Sequence, residues 1–313
     1  MRMNVVSLLP SATEILYALG VEPVGVSHEC DYPPEAADLP AVNYANVDPD
    51  AESAVINEQV AEAESSGEGV YGIRVDVLDD LDPDVIVTQG ICDVCAVDAV
   101  LVEDAVERID ADPDVVTTDP HHLSDVIGDV ERVGAAIGRD AEGAAVAADL
   151  RERVDAVRER VATHLDETGG ERPRVAVFDW LDPVMVAGHW MPDVVDAAGG
   201  RYGMVEPGES ARPREFSEIV DYDPEVAVAA PCGFGLDQTA RDLDALTGRD
   251  GWRDLSAVQS GRTWALDGNH YANRPGPRIV DTVEHLAAIV HPDAFDAPPR
   301  DAAVPLDELR AEA

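Results

Sequence analysis

The chain has 313 residues, 45% of them hydrophobic, which is enough for two compact domains with substantial cores. Its formal net charge is -42, from 64 acidic and 22 basic residues, and every basic residue is arginine. This negative charge argues against nucleic acid and anionic membranes as partners, because both require a basic surface. The absence of lysine excludes Schiff-base chemistry on a lysine and a phosphate-binding P-loop.

A lysine-free, acidic surface of this kind predicts a halophilic protein. In about 1 M salt the Debye length is about 3 Å, so the carboxylates repel one another only weakly. The four cysteines are expected to be reduced thiols, since so few in a chain of this length do not suggest a disulfide framework.

The start of the chain predicts a cytoplasmic protein. Met1–Asn4 leads directly into a strand, and only about seven apolar-rich residues come before Pro10, with no cysteine that could carry a lipid anchor. The longest apolar stretch, Val85–Val102, is interrupted by Gln89, Asp93 and Asp98, so we expect no membrane-inserted helix. An extracytoplasmic location would follow if the true start lay upstream.

The predicted elements begin with a strand at Asn4–Leu9. Ser11 and Glu14 then have the S-x-x-E spacing of a capping box, which predicts that a helix starts there. Short apolar runs predict further strands at Val24–Val26, Val85–Thr88 and Val115–Thr117. Helical patterns separate these strands, and the alternation indicates a mostly parallel sheet.

Two helices are predicted in the middle of the chain, at His122–Gly138 and Asp140–Asp166. An apolar stripe from Leu150 to Leu165 supports the second helix. At 1.5 Å per residue this helix would span roughly 39 Å. Its length predicts a strut between two bodies.

The C-terminal part repeats the α/β pattern. Strands are predicted at Arg174–Phe178, Glu225–Ala229 and Thr263–Leu266, and a closing helix at Arg278–Val290. The residues after this helix are rich in Pro, Ala and Asp, so we expect a tail that wraps the surface or is partly disordered. A weak internal repeat links the two parts, because Leu81–Val87 and Tyr222–Val228 each place Asp-Pro and one acidic residue before an apolar run.

The predicted fold class is therefore α/β, with two parallel-sheet lobes joined by one long rigid helix. The boundaries are 1–138 for the N-terminal lobe, 139–168 for the helix, 169–291 for the C-terminal lobe and 292–313 for an acidic, proline-rich tail.

Five predicted strands are each followed by an unusual polar or aromatic cluster. The clusters begin at Ser27, Thr88, Asp179, Pro231 and Asp267. Open α/β sheets bind their ligands outside the carboxyl ends of the strands, so these clusters are predicted to line one cleft. Five other histidines are predicted to be surface residues: His121, His122, His164, His285 and His291.

The Cys92-x-x-Cys95 pair has three interpretations. The thiols are candidates for redox chemistry at a helix N-terminus, for metal binding, or for simple packing. A zinc ribbon requires a second pair, whereas Cys30 and Cys232 are single. The candidate metal ligands are His28, Cys30, Cys92, Cys95 and Cys232.

The few aromatic residues indicate a second type of contact. Trp180, Trp190 and Phe234 would suit a flat apolar ligand such as a macrocycle, held by stacking. The alternative is that they plug an interface between two lobes.

No catalytic motif is present. Gly-x-Ser-x-Gly, His-Glu-x-x-His and Gly-x-Gly-x-x-Gly are all absent, so no catalytic residue is predicted. Asp31, Asp93, Asp179 and Asp182 are candidate acids or bases, but a carboxylate near a cleft is expected by chance among 64.

Several motifs resemble one family. The segments Val6–Leu16, Leu81–Asp84 and Pro231–Phe234, with the long middle helix, resemble the helical-backbone metal receptors. These are the class III ABC-transporter substrate-binding proteins for cobalamin, haem and iron–siderophore complexes. More narrowly, the chain resembles the signal-less subgroup of cobalamin-binding proteins. The segments that carry this resemblance are His28–Pro33, Thr88–Cys95, Gly188–Trp190, Asp267–Asn269 and Arg274–Arg278.

The resemblance implies two Rossmann-like lobes that hold a corrinoid or similar metal chelate between them, with an ABC-transporter permease as a possible partner. The tryptophans would cover the ring face, a histidine or cysteine would approach the metal, and Arg274 would pair with a ligand carboxylate or phosphate. The predicted binding residues are His28, Glu29, Cys30, Gln89, Cys92, Cys95, Trp180, His189, Trp190, Cys232, Phe234, Asn269, His270, Tyr271 and Arg274.

Two other functions remain open from the sequence. One is a cytosolic enzyme that uses the cysteines and histidines on the same scaffold to hold a metal or perform thiol chemistry. The other is a structural relative of the receptors that serves as a partner subunit. Transport receptors of the family are exported, whereas the start of this chain predicts a cytoplasmic protein.

Overall fold

The computed structural model describes residues 3–66, 69–91, 97 and 99–312. The chain divides into two compact units. The first contains Met1–Pro49, Glu58–Pro120 and Ser124–Leu150, and the second contains Asp50–Asn57, His121–Leu123 and Arg151–Ala313. Each unit has parallel strands with helices between them, which confirms the predicted α/β class.

The strands in chain order are β1 (Val5–Ser7), β2 (Asn43–Ala45), β3 (Tyr71–Ile73), β4 (Val85–Gln89), β5 (Asp114–Thr118), β6 (Val175–Trp180), β7 (Met185–Val186), β8 (Val226–Ala229), β9 (Thr263–Leu266) and β10 (Ala303–Pro305). The helices are α1 (Pro10–Ala18), α2 (Ser53–Ser66), α3 (Val75–Asp80), α4 (Ala99–Val106), α5 (Leu123–Ala136), α6 (Asp140–Thr168), α7 (Met191–Ala197), α8 (Phe216–Tyr222), α9 (Leu236–Asp242), α10 (Asp244–Thr247), α11 (Ser256–Gln259), α12 (Ile279–Val290) and α13 (Leu306–Glu312). Short 3-10 turns lie at Pro34–Asp38 and Trp252–Asp254, and one π-helical turn lies at Gly268–Ala272. In the described part of the chain, no helix is both long and apolar enough to cross a membrane.

The first unit is built on a three-stranded parallel sheet in the order β1-β4-β5. β4 is the central strand, with Val85 paired to Val5 on one side and to Asp114 on the other. All five residues of β4 are buried, as expected for a parallel strand covered on both faces. β2 and β3 form a separate antiparallel pair in which Asn43 lies opposite Ile73.

The second unit contains a five-stranded sheet in the order β10-β9-β8-β6-β7. β9, β8 and β6 are parallel, and the two outer strands are antiparallel to their neighbours. Phe178 and Ala229 from this sheet join Leu181, Ile219 and Leu246 in one apolar core. Because parallel strands end at the same edge, the segments that follow β6, β8 and β9 lie along one edge of the sheet.

The internal repeat of the sequence corresponds to a repeated structure. In each unit a short helix, α3 or α8, is followed by an aspartate with a left-handed backbone, Asp82 at φ 45° and Asp223 at φ 48°. The next residue is proline, which cannot continue a helix. The strand that follows, β4 or β8, then has a neighbour on both sides.

α6 is a continuous helix of 29 residues. Its residues up to Leu150 belong to the first unit, and those from Arg151 onward belong to the second. In the second unit Arg153 binds two carboxylates of α12. Its Nη2 donates to Asp281 Oδ1 at 2.6 Å and to Glu284 Oε2 at 2.8 Å, and its Nε donates to Glu284 Oε1 at 3.0 Å. These hydrogen bonds attach the part of α6 that belongs to the second unit to α12.

Two predictions near the N-terminus are wrong. α1 begins at Pro10, and Leu9 before it makes no capping hydrogen bond. Ser11 and Glu14, the predicted capping pair, are buried within the helix. Proline starts the helix instead, because its φ is already near the helical value and the N–H it lacks would have no partner there. The strand predicted at Val24–Val26 does not form, because Gly25 and Val26 make only isolated bridges.

The prediction for the C-terminal tail is also wrong. β10 pairs with β9 along the edge of the second sheet, with Val304 opposite Ala265. Val304, Leu306 and Leu309 are between 3% and 5% exposed and belong to the apolar core of the second unit. The tail is therefore an integral part of this unit. The few apolar positions of the tail were not recognised as core residues, because they stand among many Pro, Ala and Asp residues.

Candidate ligand-binding site

His28 is positioned by Asn43 in the first unit. The Asn43 side chain is buried at the start of β2. Its Oδ1 accepts a hydrogen bond of 2.8 Å from the His28 backbone N–H and lies 2.9 Å from His28 Nδ1. The His28 ring lies 6.0 Å from the ring of Tyr71 on β3, and a quarter of its side chain (25%) is exposed. The amide thus orients an imidazole that a ligand can reach.

The two residues after His28 have different surroundings. The Glu29 side chain is 39% exposed, and its Oε1 accepts a hydrogen bond of 3.4 Å from the Tyr71 hydroxyl. Cys30 is buried, with its Sγ 3.1 Å from Thr13 Oγ1, and it packs in an apolar cluster with Val26. The position of Cys30 therefore favours a packing role over metal binding.

Gln89 ends β4 and is 5% exposed. Its Oε1 accepts no hydrogen bond within the described residues, and a buried acceptor without a partner costs free energy. Cys92 and Cys95 lie outside the described residues, so the three interpretations of this pair stay predictions.

Trp180 and Phe234 lie together at the carboxyl edge of the second sheet. Phe234, in the loop after β8, is 1% exposed, whereas Trp180 at the end of β6 is half-buried. Their ring centroids are 5.4 Å apart. Trp180 Nε1 donates to the carbonyl oxygen of Asp182 at 3.1 Å. Trp180 is therefore the member of the pair with aromatic surface left for a ligand.

Asp179 lies beside Trp180. Its Oδ1 is shielded from solvent and has no hydrogen-bond partner among the described residues, although the residue as a whole keeps some accessible surface. Burial raises the pKa of the Asp179 carboxyl from 3.8 to about 7, because the ionised form is poorly solvated there. Near neutral pH this carboxyl can therefore donate a hydrogen bond as well as accept one.

Backbone hydrogen bonds bring the three strand ends together. Cys232 N–H donates to the carbonyl oxygen of Asp179 at 2.9 Å, and Asn269 N–H donates to the carbonyl oxygen of Phe234 at 3.0 Å. Gly268 lies so close to the loop after β8 that a Cβ atom there would clash with its backbone. The structure thus places Cys232, Phe234 and Asn269 side by side, as the sequence predicts.

Asp267 orients His270 in the π-helical turn. Asp267 Oδ1 accepts a hydrogen bond of 2.7 Å from the His270 backbone N–H, and Oδ2 lies 2.8 Å from His270 Nδ1. The His270 side chain is 39% exposed. Tyr271 packs edge-on against His285 at 5.0 Å. The carboxylate of Asp267 is a feature of this turn that the residue types alone did not single out.

Arg274 is almost fully buried, at 5% exposed, and its Nη2 donates to Asn269 Oδ1 at 3.0 Å. This hydrogen bond holds the loop that carries Asn269. The ion pair between Arg274 and a ligand carboxylate or phosphate stays a prediction.

Trp190 is packed inside the second unit. It is 8% exposed, and its Nε1 donates to the carbonyl oxygen of Ala272 at 3.1 Å. His189, with a left-handed backbone at φ 52°, stacks on Trp190 at 5.8 Å and lies 5.6 Å from the His121 ring. Trp190 therefore packs against the His189 ring and exposes little surface to a ligand.

Three of the histidines predicted to lie at the surface make specific contacts. His122 Nδ1 is 3.0 Å from Asp193 Oδ2. His291 is 5% exposed, with its Nε2 3.1 Å from the carbonyl oxygen of Gly199, so the surface prediction for His291 is wrong. The third contact is that of His121 with His189. No sequence pattern indicated these three contacts, because each joins segments that are distant in the chain.

Metal-ion binding by a group of side chains finds no support in the described residues. No three His, Cys, Asp or Glu side chains among them are arranged to hold an ion. His28, Cys30 and Cys232 therefore form no such site with other described residues. Two open surface depressions of about 580 and 590 Å³, near Phe216 and Arg74, are lined by none of the predicted binding residues.

The chain matches a family model described as periplasmic binding protein over residues 5–269. It therefore belongs to this family of ligand-binding proteins. The match confirms the predicted family resemblance and the expectation of a binding protein.

The chain is similar to several known proteins. An uncharacterized ABC transporter substrate-binding lipoprotein of Bacillus subtilis is 25% identical over 304 residues, which are 93% of this chain and 81% of the relative. A cobalamin-binding protein of Halobacterium salinarum is 30% identical over 173 residues, 54% of this chain and 44% of that protein. The crystal structure of a periplasmic heme-binding protein from Pseudomonas aeruginosa aligns with a TM-score of 0.70 at 18% identity, over 95% of this chain and 96% of that one.

Proposed function

We propose that this protein binds a corrinoid, or a metal chelate of similar shape, as the substrate-binding component of an ABC-type transporter. The observation that carries the proposal is the assembly of Trp180, Phe234, Cys232 and Asn269 at one edge of the second sheet. An accessible aromatic face beside a few fixed polar groups is the usual lining of a pocket for a flat ligand.

The relatives favour the same ligand class. The relative from Halobacterium salinarum is named for cobalamin and the structure from Pseudomonas aeruginosa for heme. Both ligands are flat macrocycles with a central metal. The relative from Bacillus subtilis is named as an ABC transporter component, which supports a permease as the partner of this chain.

The cellular location is part of the proposal. Names such as periplasmic and lipoprotein support a position outside the cytoplasm. We infer that the protein acts at the outer face of the membrane if it delivers its ligand to a permease. Fractionation of the native cells followed by immunodetection tests this location. Recovery of the protein in the cytoplasm alone would contradict the transport role.

Titration with hydroxocobalamin tests the ligand. Reduced protein in molar KCl should give a saturable change in visible absorbance at one equivalent, and the colour should elute with the protein in gel filtration. The same titration with haemin compares the second macrocycle. Colour retained only with haemin would move the proposal to haem, and colour retained with neither would refute it.

Trp180 provides a matched pair of variants. Trp180→Ala should weaken corrinoid binding by roughly 3- to 10-fold, which is the worth of one aromatic contact. Tyr44→Ala removes an aromatic residue that is 40% exposed in the first unit, outside the proposed site, and should leave the affinity unchanged. Equal affinities for Trp180→Ala and the wild type would place the ligand elsewhere.

A further inference from the structure

β5 forms one edge of the sheet in the first unit, and β4 is its only neighbouring strand in the described part of the chain. Asp114 N–H donates to the carbonyl oxygen of Asp84 at 3.0 Å. At the other end of the pairing, Gly90 N–H donates to the carbonyl oxygen of Thr118 at 2.8 Å. Successive residues of a strand direct their backbone groups to opposite sides. Asp114, Val116 and Thr118 therefore face β4, and the two residues between them face away from it.

Val115 and Thr117 thus direct their backbone groups along the open edge. The Thr117 carbonyl oxygen accepts a hydrogen bond of 3.2 Å from Arg132 Nη1, which leaves one of its two lone pairs available. The Val115 N–H, the Val115 carbonyl oxygen and the Thr117 N–H make no hydrogen bond with any described residue. Val115 is also 39% exposed, so solvent reaches this edge.

The composition of β5 favours the addition of another strand. Val115–Thr118 is a run of β-branched residues, the type that fits best in a sheet. Natural proteins usually protect an open edge with lysine, proline or a β-bulge, since unpaired backbone groups attract a further strand. β5 contains neither lysine nor proline, and its pairing with β4 is regular over all five residues. Arg132 covers one carbonyl oxygen only.

A second copy of β5 in the antiparallel direction fits this edge. If Val115 of each copy lies opposite Thr117 of the other, each of the two resulting pairs exchanges two backbone hydrogen bonds. The two Val116 residues then face each other across a two-fold axis. Arg132, which lies at Thr117, comes next to the exposed Asp114 of the other copy in this register. The arrangement thus combines backbone pairing with charge complementarity.

We propose that two copies of this chain associate through antiparallel pairing of their β5 strands, in a symmetric dimer. The pairing occupies the open edge of both copies, so the assembly closes at two chains. The dimer is weak, because only a few backbone hydrogen bonds join the copies and each copy carries a formal charge of -42. Molar salt permits the approach, since the Debye length there is about 3 Å. None of the residues assigned to ligand binding takes part in the pairing, so the dimer is independent of the proposed function.

Sedimentation equilibrium in molar KCl tests the association. The wild type should show a reversible equilibrium between one and two chains. Val115→Pro removes an N–H that makes no hydrogen bond with the described residues, and proline is tolerated at such an edge position. By symmetry the dimer loses two hydrogen bonds, so its dissociation constant should rise roughly 30-fold. Val115→Thr keeps the N–H and the β-branched shape and should associate like the wild type.

A cross-link tests the register. Val116 and its copy form a pair without mutual hydrogen bonds, and the Cα atoms of such a pair are about 4.5 Å apart. This separation lies within the usual range for a disulfide. Val116→Cys should therefore give a covalent dimer on mild oxidation. The controls are the wild type, with its four native cysteines, and Ala162→Cys at an exposed position of α6, and neither should give this dimer.

Three results would overturn the proposal. One is a wild type that remains a single chain at every protein concentration. Another is association that continues beyond two chains, which a closed pair of edges does not allow. The third is a dimer that Val115→Pro leaves intact or that Val115→Thr weakens equally, since either result would place the interface elsewhere. If Val115→Pro does not fold, the Val116→Cys cross-link decides the question, and failure of this cross-link contradicts the pairing.

Discussion

Single residues at the strand ends have structural roles in addition to the binding roles that the sequence predicts. Phe234 and Arg274 are nearly inaccessible, and Trp190 donates a buried hydrogen bond to Ala272. Residue type and position in the sequence predict that these side chains lie near a ligand. Their burial shows that several of them act by holding the loops in place, and Trp180, His28 and His270 keep accessible surface.

Trp190→Ala is therefore expected to destabilise the protein. The substitution removes a large packed side chain and leaves the carbonyl oxygen of Ala272 without its partner. The free energy of unfolding should fall by about 3–5 kcal/mol, measured by denaturant titration in molar KCl. Trp180→Ala should cost less than half as much, because that side chain is only half-buried. Equal costs would contradict the packing role of Trp190.

Asp179 predicts a pH dependence of stability. Its pKa is raised from 3.8 to about 7 in the folded protein, so the folded state binds this proton more tightly than the unfolded chain. The stabilisation is fully present below about pH 4 and is lost as the pH rises through 7. Asp179→Asn should therefore be more stable than the wild type at pH 8, by about 1–3 kcal/mol.

Measurement of unfolding free energies between pH 5 and pH 8 checks this expectation, through the difference between variant and wild type. The expected gain in stability is smaller than the free energy equivalent of the whole pKa shift. Asp179 keeps some accessible surface, so solvent partly screens its charge. Asp250→Asn, at an exposed position, is the control and should follow the wild type at every pH. A constant difference for Asp179→Asn would refute the pH effect.

Strands and helices were predicted correctly where the apolar pattern was long or continuous. The predicted strand Thr263–Leu266 matches β9, and the predicted helix at Asp140–Asp166 differs from α6 only at its end. Two three-residue segments were predicted wrongly, since β10 was missed and Val24–Val26 forms no strand, because so few residues carry too little periodicity to be recognised. β10 and the bridges at Val24–Val26 depend on neighbouring strands for their hydrogen bonds.

The C-terminal tail provides a test at this scale. Leu306→Ala should lower the free energy of unfolding by about 2–5 kcal/mol, because Leu306 is 5% exposed in the core of the second unit. Asp307→Ala, at the exposed next position, should change stability by less than about 0.5 kcal/mol. Thermal unfolding of the two variants at one salt concentration measures the difference. A tail that only wrapped the surface would give two similar values.

The whole molecule carries a formal charge of -42, so repulsion among its carboxylates opposes folding at low salt. The melting temperature should rise steeply between about 0.1 and 2 M KCl, as the Debye length falls from about 10 Å to below 3 Å. NaCl at the same concentrations should produce a similar rise, because screening depends on ionic strength. A melting temperature independent of salt would contradict the prediction of a halophilic protein.

Composition, apolar periodicity and motif spacing determined the α/β class, the order of most strands, the long helix and the family. These properties depend on local sequence and on burial of whole segments, which a single sequence records directly. The tertiary structure decided which polar groups meet. Asn43 with His28 and His121 with His189 are contacts between residues far apart in the chain. Such contacts arise from packing of strands and loops, and packing depends on shape complementarity that residue types alone do not encode.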